Sequence, residues 1–194
     1  KDFGAVGDDS TADVAAIQRA IDELYRDTDT TVSNDARARR VLFFPAGTYK
    51  INASLTIPPF AHLVGEGPDK TIIKNSASAP AMVTEDDEGQ TYGNIGDSSA
   101  TTPTQIQISN MTVRTTVAYG GLSIDNATKV FVDNVKFQGT FVSGGTDSAN
   151  SKGVTVRSTT LLPCSYIVFD QCQFTGFARL VDMSFDVTNV RFTN

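Results

Sequence analysis

A polar side chain recurs inside short alternating apolar runs: "ISNMTV" at 108–113, "FVDNVKF" at 131–137, "FDQCQF" at 169–174 and "VTNVRF" at 187–192. Aligning Asn110, Asn134, Gln171 and Asn189 brings Val113, Phe137, Phe174 and Phe192 into one column, and Ile108, Val132, Phe169 and Val187 into another. The amides stand 24, 37 and 18 residues apart (110 to 134, 134 to 171, 171 to 189). A fixed core pattern with variable connections is the mark of a repeat protein. Further alternating runs lie between the copies: "GLSID" at 121–125, "GVTVR" at 153–157 and "RLVDM" at 179–183. Alternation of period two means strands with one buried face. Several short strands per copy predict an all-β fold, a parallel β-helix with coils stacked at roughly 4.8 Å. At the corners, unpaired backbone groups would cost about 1–3 kcal/mol each, and a file of stacked amides answers them. The expected structural ladder is therefore Asn110, Asn134, Gln171 and Asn189, with each neighbouring phenylalanine contributing about 1.5–3 kcal/mol by burial.

The opening differs. In "KDFGAVGDDSTADVAAIQRAIDELYRD", Val14, Ile17, Ile21 and Leu24 recur at helical spacing, which predicts a helix over about 11–26 capped by Ser10 or Thr11. Its apolar stripe must cover something. From Val41, "VLFFPAGTYKI" and "SLTIPPFAHLVGEGPDKTIIK" read as short strands and turns, with strands near Leu55–Ile57, Leu63–Val64 and Thr71–Lys74. The expected organisation is one domain: a β-helix start over 1–74, a long loop over 75–104 and coils over 105–194. The chain does not begin with Met and "VRFTN" ends within a repeat, so coils are expected to continue past Asn194.

Those opening residues resemble the N-terminal part of the pectate-lyase-like right-handed parallel β-helix superfamily, shared by bacteriophage tailspikes, polysaccharide lyases and several glycoside hydrolases. The resemblance is close over 1–74 and one of repeat style over 105–194. It implies that the helix caps the open end of a right-handed β-helix. The usual "GDGVTDDT" stands here as "GDDSTADV": Asp8 and Thr11 remain, while Asp9 replaces a Gly, so this turn is expected to differ. The paired Asp beside an Asn and the Gly-His-Gly of polygalacturonases are absent, and no Arg-rich strand of true pectate lyases is evident. The tailspike branch implies a homotrimer on a phage tail, in contact with other virion tail proteins and a bacterial surface polysaccharide, in a virion or extracellular setting. A secreted polysaccharide lyase or glycoside hydrolase, and a non-catalytic β-helix spacer, remain alternatives.

The column before the ladder reads Ser109, Asp133, Asp170 and Thr188. Asp133 and Asp170 are the candidate catalytic pair: outward carboxylates one coil apart, about 5 Å, suit a retaining glycosidase with one nucleophile and one proton donor. The column after it reads Thr112, Lys136, Gln173 and Arg191, so Lys136 neutralising Asp133 in a surface charge ladder is the alternative. Phe131 and Val168 share an outward column with Gln107 and Asp186, and their exposure predicts a cover: the 140–152 loop or, preferably, another subunit.

Other motifs are weaker. "GEGPDKT" at 65–71 lacks the ending of a phosphate loop. His62 is the only histidine, which excludes a His-based zinc site and a Ser-His-Asp triad; it is expected to be structural. Glu85, Asp86, Asp87 and Glu88 place four carboxylates together, a possible Ca²⁺ site without EF-hand spacing; no other cofactor or metal is expected. Cys172 fills a ladder-side apolar slot and reads as a buried thiol, with a bridge to Cys164 left open. Asn110 sits in a glycosylation sequon but is a ladder residue. The formal charge of −6 argues against general nucleic-acid binding, and no apolar run is long enough to span a membrane.

Overall fold

The computed structural model describes residues 3–25, 40–89, 91, 102–142, 149–159 and 162–194. Every strand pairing among the described residues is parallel, from β1 (Asp8–Ala12) against β3 (Gly47–Ile51) to β12 (Cys164–Asp170) against β15 (Val187–Thr193). The chain winds as a right-handed β-helix, the hand that parallel crossovers take. The first coil is β2 (Leu42–Phe44), β3 and β4 (Leu55–Ile57); the second is β5 (His62–Gly65), β6 (Thr71–Asn75) and β7 (Met82–Thr84). The third is β8 (Thr104–Thr115) with β9 (Leu122–Asp125), and the fourth β10 (Thr128–Gln138) with β11 (Lys152–Arg157). The fifth is β12, β13 (Gln173–Thr175) and β14 (Arg179–Ser184), after which β15 opens another. Ten strands form one bent sheet, and β4, β7, β9, β11 and β14 form a second across the core. Strand β7 lies inside the stretch expected to be a long loop; three residues were too few to show a period.

Inward side chains stack between coils. Phe137 lies face to face with Phe174 at 5.0 Å, and Phe169 with Phe192 at 5.0 Å. Each such pair adds about 0.5–1.5 kcal/mol to its burial. Cys164 and Cys172 are free thiols, Cys164 inside this core and Cys172 half-buried against it, and burial pushes both up to about 11.

The helix α1 runs Val14–Tyr25 and buries Ile17, Ala20, Ile21 and Tyr25 over the first coil. It starts later than expected because Asp8–Ala12 pairs with β3 as a strand. Asp13 then becomes the capping residue: its carbonyl accepts from Ile17 N, while its carboxylate accepts from the Val6 and Gly7 amides. The unusual Asp9 keeps the turn by adopting φ 64°, and Asp8 accepts from Ser10 N and Thr11 N. Those bonds hold the Asp8 carboxyl well below the usual range.

The corner between the two halves of the bent sheet is made by Asn110, Asn134 and Gln171, at φ 55°, 50° and 50°. Asn is the ordinary residue best suited to that left-handed conformation. Asn134 Nδ2 donates to Asn110 Oδ1 at 2.8 Å, one coil to the next. Gln171 follows at the same register, directly after the Asp133–Asp170 pair. Asn189 does not belong to this file. Ser165 pairs with Thr188 and Ile167 with Val190, so Asn189 stands over Tyr166. It belongs to an upstream left-handed file with Phe60, Gln105, Lys129 and Tyr166 (φ 66°, 53°, 55° and 57°; Asn189 54°). Correspondingly, Phe192 stacks on Phe169 rather than continuing the Phe137–Phe174 column.

Candidate functional site

Strand alternation fixes what faces outward. In β10, Val130, Val132 and Val135 are buried, so Phe131 and Asp133 project from the coil. Phe131 pairs in register with Val168, and Asp133 with Asp170. These residues, with Gln107 and Val132, line one open groove of about 310 Å³. The candidate carboxylates and the candidate subunit-contact residues are thus walls of the same depression.

The column through Phe131 runs His62, Gln107, Phe131, Val168 and Arg191. The column through Asp133 runs Val64, Ser109, Asp133, Asp170 and Thr193. Arg191 and Thr193 therefore replace Asp186 and Thr188, which alignment on Asn189 had placed there. His62, expected only as a structural residue, heads the first column, and burial lowers its pKa. The long connection between β7 and β8 hides that register in the sequence.

Within the groove, Asp170 Oδ1 accepts from Thr193 Oγ1 at 2.7 Å. The Asp133 carboxylate has no hydrogen bond or ion pair to a described residue. Lys136, which the charge-ladder alternative would pair with Asp133, instead reaches Asp69 Oδ1 at 2.6 Å. Adjacent strands set the two aspartates about 4.8 Å apart along the axis, near the 5–5.5 Å of carboxyl pairs in retaining glycosidases. Phe131 is 45% exposed and offers a ring face to the apolar side of a sugar. The depression therefore combines an apolar platform with carboxylate acceptors, one of them without a partner among the described residues.

Other polar clusters lie elsewhere. Asp125 is fully buried and holds Arg157 through both oxygens at 2.9 and 2.8 Å, with Ser123 Oγ donating to it at 3.0 Å. No spacing signal in the sequence marked this network. Of the four carboxylates weighed as a Ca²⁺ site against a solvated loop, Glu85 and Asp86 are buried and Glu88 is exposed. Asp86 Oδ1 accepts from Glu88 N at 3.0 Å and closes its own turn. Among the described residues no group of three or more His, Cys, Asp or Glu side chains is placed to hold a metal ion. No described helix is long and apolar enough to cross a membrane.

These features define a pectate-lyase-like β-helix with an outward groove on its coils. The chain belongs to the rhamnogalacturonase A/epimerase, pectate lyase-like family, whose model matches residues 1–194. It is 40% identical over 81 residues to mannuronan C5-epimerase AlgE2 of Azotobacter vinelandii, a match covering 38% of this chain and 7% of that protein. Among solved structures it is similar to ORF18 of Geobacillus virus E2, with TM-score 0.65, 19% identity, and coverage of 98% of this chain and 39% of the other. It is also similar to the AlgE6 A-module of A. vinelandii, with TM-score 0.60, 19% identity, and coverage of 88% and 42%. The chain thus spans under a tenth of the epimerase it matches in sequence and about two fifths of each of these structures.

Proposed function

We propose that this β-helix engages a polysaccharide in the groove lined by Phe131, Val168, Asp133 and Asp170, as the glycan-recognising part of a phage tail protein. The observation that carries this reading is the register pairing of Phe131 with Val168 beside Asp133 with Asp170, in one open depression. The apolar pair takes a sugar face, and the carboxylates accept its hydroxyls. Similarity in fold to a Geobacillus virus protein supports the virion setting. In that setting three copies stand side by side on a common axis, beside other tail proteins, and meet a bacterial surface polysaccharide.

A second reading is favoured by the 81-residue stretch shared with a mannuronan C5-epimerase. Here the same groove belongs to a polysaccharide-modifying enzyme, with Asp133 and Asp170 as its acid–base pair. The two readings separate by experiment. Incubation with polysaccharides, followed by product analysis, reveals turnover if the pair is catalytic, and Asp133→Asn or Asp170→Asn lowers it by about 10²-fold or more. Binding without turnover supports the recognition reading. Retention of all glycan binding in Phe131→Ala contradicts both.

Phe131 and Val168 serve one occupant at a time, sugar or neighbouring subunit. Native mass measurement of Phe131→Ala distinguishes them. Loss of a trimer assigns the pair to the subunit contact, whereas loss of glycan binding with an unchanged mass assigns it to the sugar.

A further inference from the structure

Across the amide corner, the outer face of β3, β6, β8 and β10 carries a different pattern. Tyr49, Ile51, Ile73, Asn75, Val113 and Thr115 are buried and point inward. The intervening positions therefore point out. Lys50 pairs in register with Lys74, and Lys74 with Arg114, on three successive coils. Gln138 and Thr175 continue the same column. Three cations are thus stacked along the helix axis at the strand spacing of about 4.8 Å. Like charges directly opposite each other in a sheet repel, and this chain carries a net charge of −6.

The carboxylates facing this column only partly offset it. Asp9, from β1, reaches Lys74 Nζ at 2.7 and 2.9 Å. Asp8 is turned to its own loop, accepting from Ser10 and Thr11. Lys136, one column nearer the corner, is taken by Asp69. The Lys50 carbonyl accepts from Asp13 N at 2.8 Å, while its ammonium makes no hydrogen bond or ion pair with a described residue. Arg114 donates through Nε to Gln138 Oε1 at 2.9 Å, and its two terminal amino groups have no described partner. What remains is a narrow axial track of two cations without a counter-charge among the described residues, one on either side of the Lys74–Asp9 pair and flanked by neutral hydrogen-bonding groups.

We propose that Lys50, Lys74 and Arg114 form a binding track for an anionic polysaccharide lying along the β-helix axis. The chemistry favours this ligand for three reasons. With Lys74 held by Asp9, Lys50 and Arg114 lie two coils apart, about 9.6 Å at the strand spacing and comparable to two pyranose rings, so every second carboxylate of a uronate chain meets one of them. The planar fork of Arg114 suits bidentate capture of a carboxylate. Gln138, Thr175 and Thr48, the last one column away, offer donors and acceptors for ring hydroxyls. A nucleic acid duplex needs a broader basic surface than this single file. The inference draws on the polysaccharide reading for its ligand class, but it concerns a separate face and separate residues.

The test is binding of the full chain to polygalacturonate, with dextran and duplex DNA as comparison probes, at low and high salt. The expected result is salt-sensitive binding of polygalacturonate that dextran does not compete. The double variant Lys50→Gln, Arg114→Gln weakens it by about tenfold or more. Lys70→Gln removes an exposed lysine off the track, 61% exposed and paired with Glu66, and leaves binding within about twofold. Melting curves establish that each variant is folded. The proposal is overturned if polygalacturonate does not bind at low salt, if the folded double variant binds like the parent, or if duplex DNA binds more tightly. The groove is judged separately, on Phe131→Ala with the glycan panel, so either idea can fail while the other stands.

Discussion

Replacing Asn134 tests how the corner is held. Two terms act there. Asn134 Nδ2 donates to Asn110 Oδ1 at 2.8 Å, and a hydrogen bond of this kind contributes about 0.5–1.5 kcal/mol. The backbone also sits at φ 50°, where a residue with a Cβ and no amide pays about 1–2 kcal/mol. Asn134→Ala loses the bond and incurs the strain, for a total of about 1.5–3.5 kcal/mol. Asn134→Gly loses the same bond but adopts the left-handed conformation freely, so its cost is only about 1 kcal/mol. For a domain of this size, the alanine variant melts roughly 3–14 °C below the parent, and the glycine variant lies between them. Urea unfolding followed by circular dichroism measures both, with the slope m unchanged if only stability has altered. An alanine variant as stable as the parent would refute the argument. So would a glycine variant less stable than the alanine one, because the left-handed corner would then carry no strain to relieve.

Three further outcomes follow from the same structure. Gly65 occupies the corner one coil before Asn110, where an added Cβ would strike the Asn110 carbonyl oxygen and crowd Thr71 and Met111; Gly65→Ala should cost about 2–3 kcal/mol in urea titrations, and a neutral result would contradict the close approach. Asp182 is held below its ordinary value of 3.8, first by the hydrogen bond from Lys152. Its folded-state pKa is depressed, so its contribution is present above the unfolded value and lost as pH falls through the folded one. The melting temperatures of parent and Asp182→Asn should therefore differ at neutral pH and converge in acid; a constant gap would count against the pairing. Cys164 and Cys172, raised from 9.0 to about 11 by burial, should resist iodoacetamide in the native protein and react in urea. The same shift removes stability as pH rises from 9.0 towards 11. Native reaction as fast as unfolded reaction would show the thiols are not buried.

The coils were legible because their inward residues are large, apolar and strictly alternating, and because Asn110 and Asn134 advertise a left-handed corner by residue type. The last coil misled for the same reason. Each coil has a second left-handed position before its first inward pair, filled by Phe60, Gln105, Lys129 and Tyr166, which carry no turn signal. Only Asn189 displays one, and it imitates the true corner. Anchoring on it shifted Phe192, Thr188 and Asp186 out of register by five residues, since Gln171 is in line with Asn194 and not with Asn189. The pairing of Asp133 with Asp170 survived, because both lie directly before true corner amides. The Lys50, Lys74 and Arg114 track was not legible at all. Its members belong to coils of unequal length, and only the register of β3, β6 and β8 aligns them. Strand β7 escaped for want of length, and the Asp125–Arg157 pair because its partners are 32 residues apart.

Paired cysteines read this register most directly. With Cys164 and Cys172 replaced by alanine, residues in register on neighbouring strands have Cα atoms within the roughly 4.4–6.8 Å that a disulfide spans. Val168→Cys with Arg191→Cys, and Phe131→Cys with Val168→Cys, should each oxidise to an intrachain bridge in the native protein. Val168→Cys with Asp186→Cys should stay reduced. A bridge in that last pair, or none in the first two, would contradict the stacking that assembles the groove.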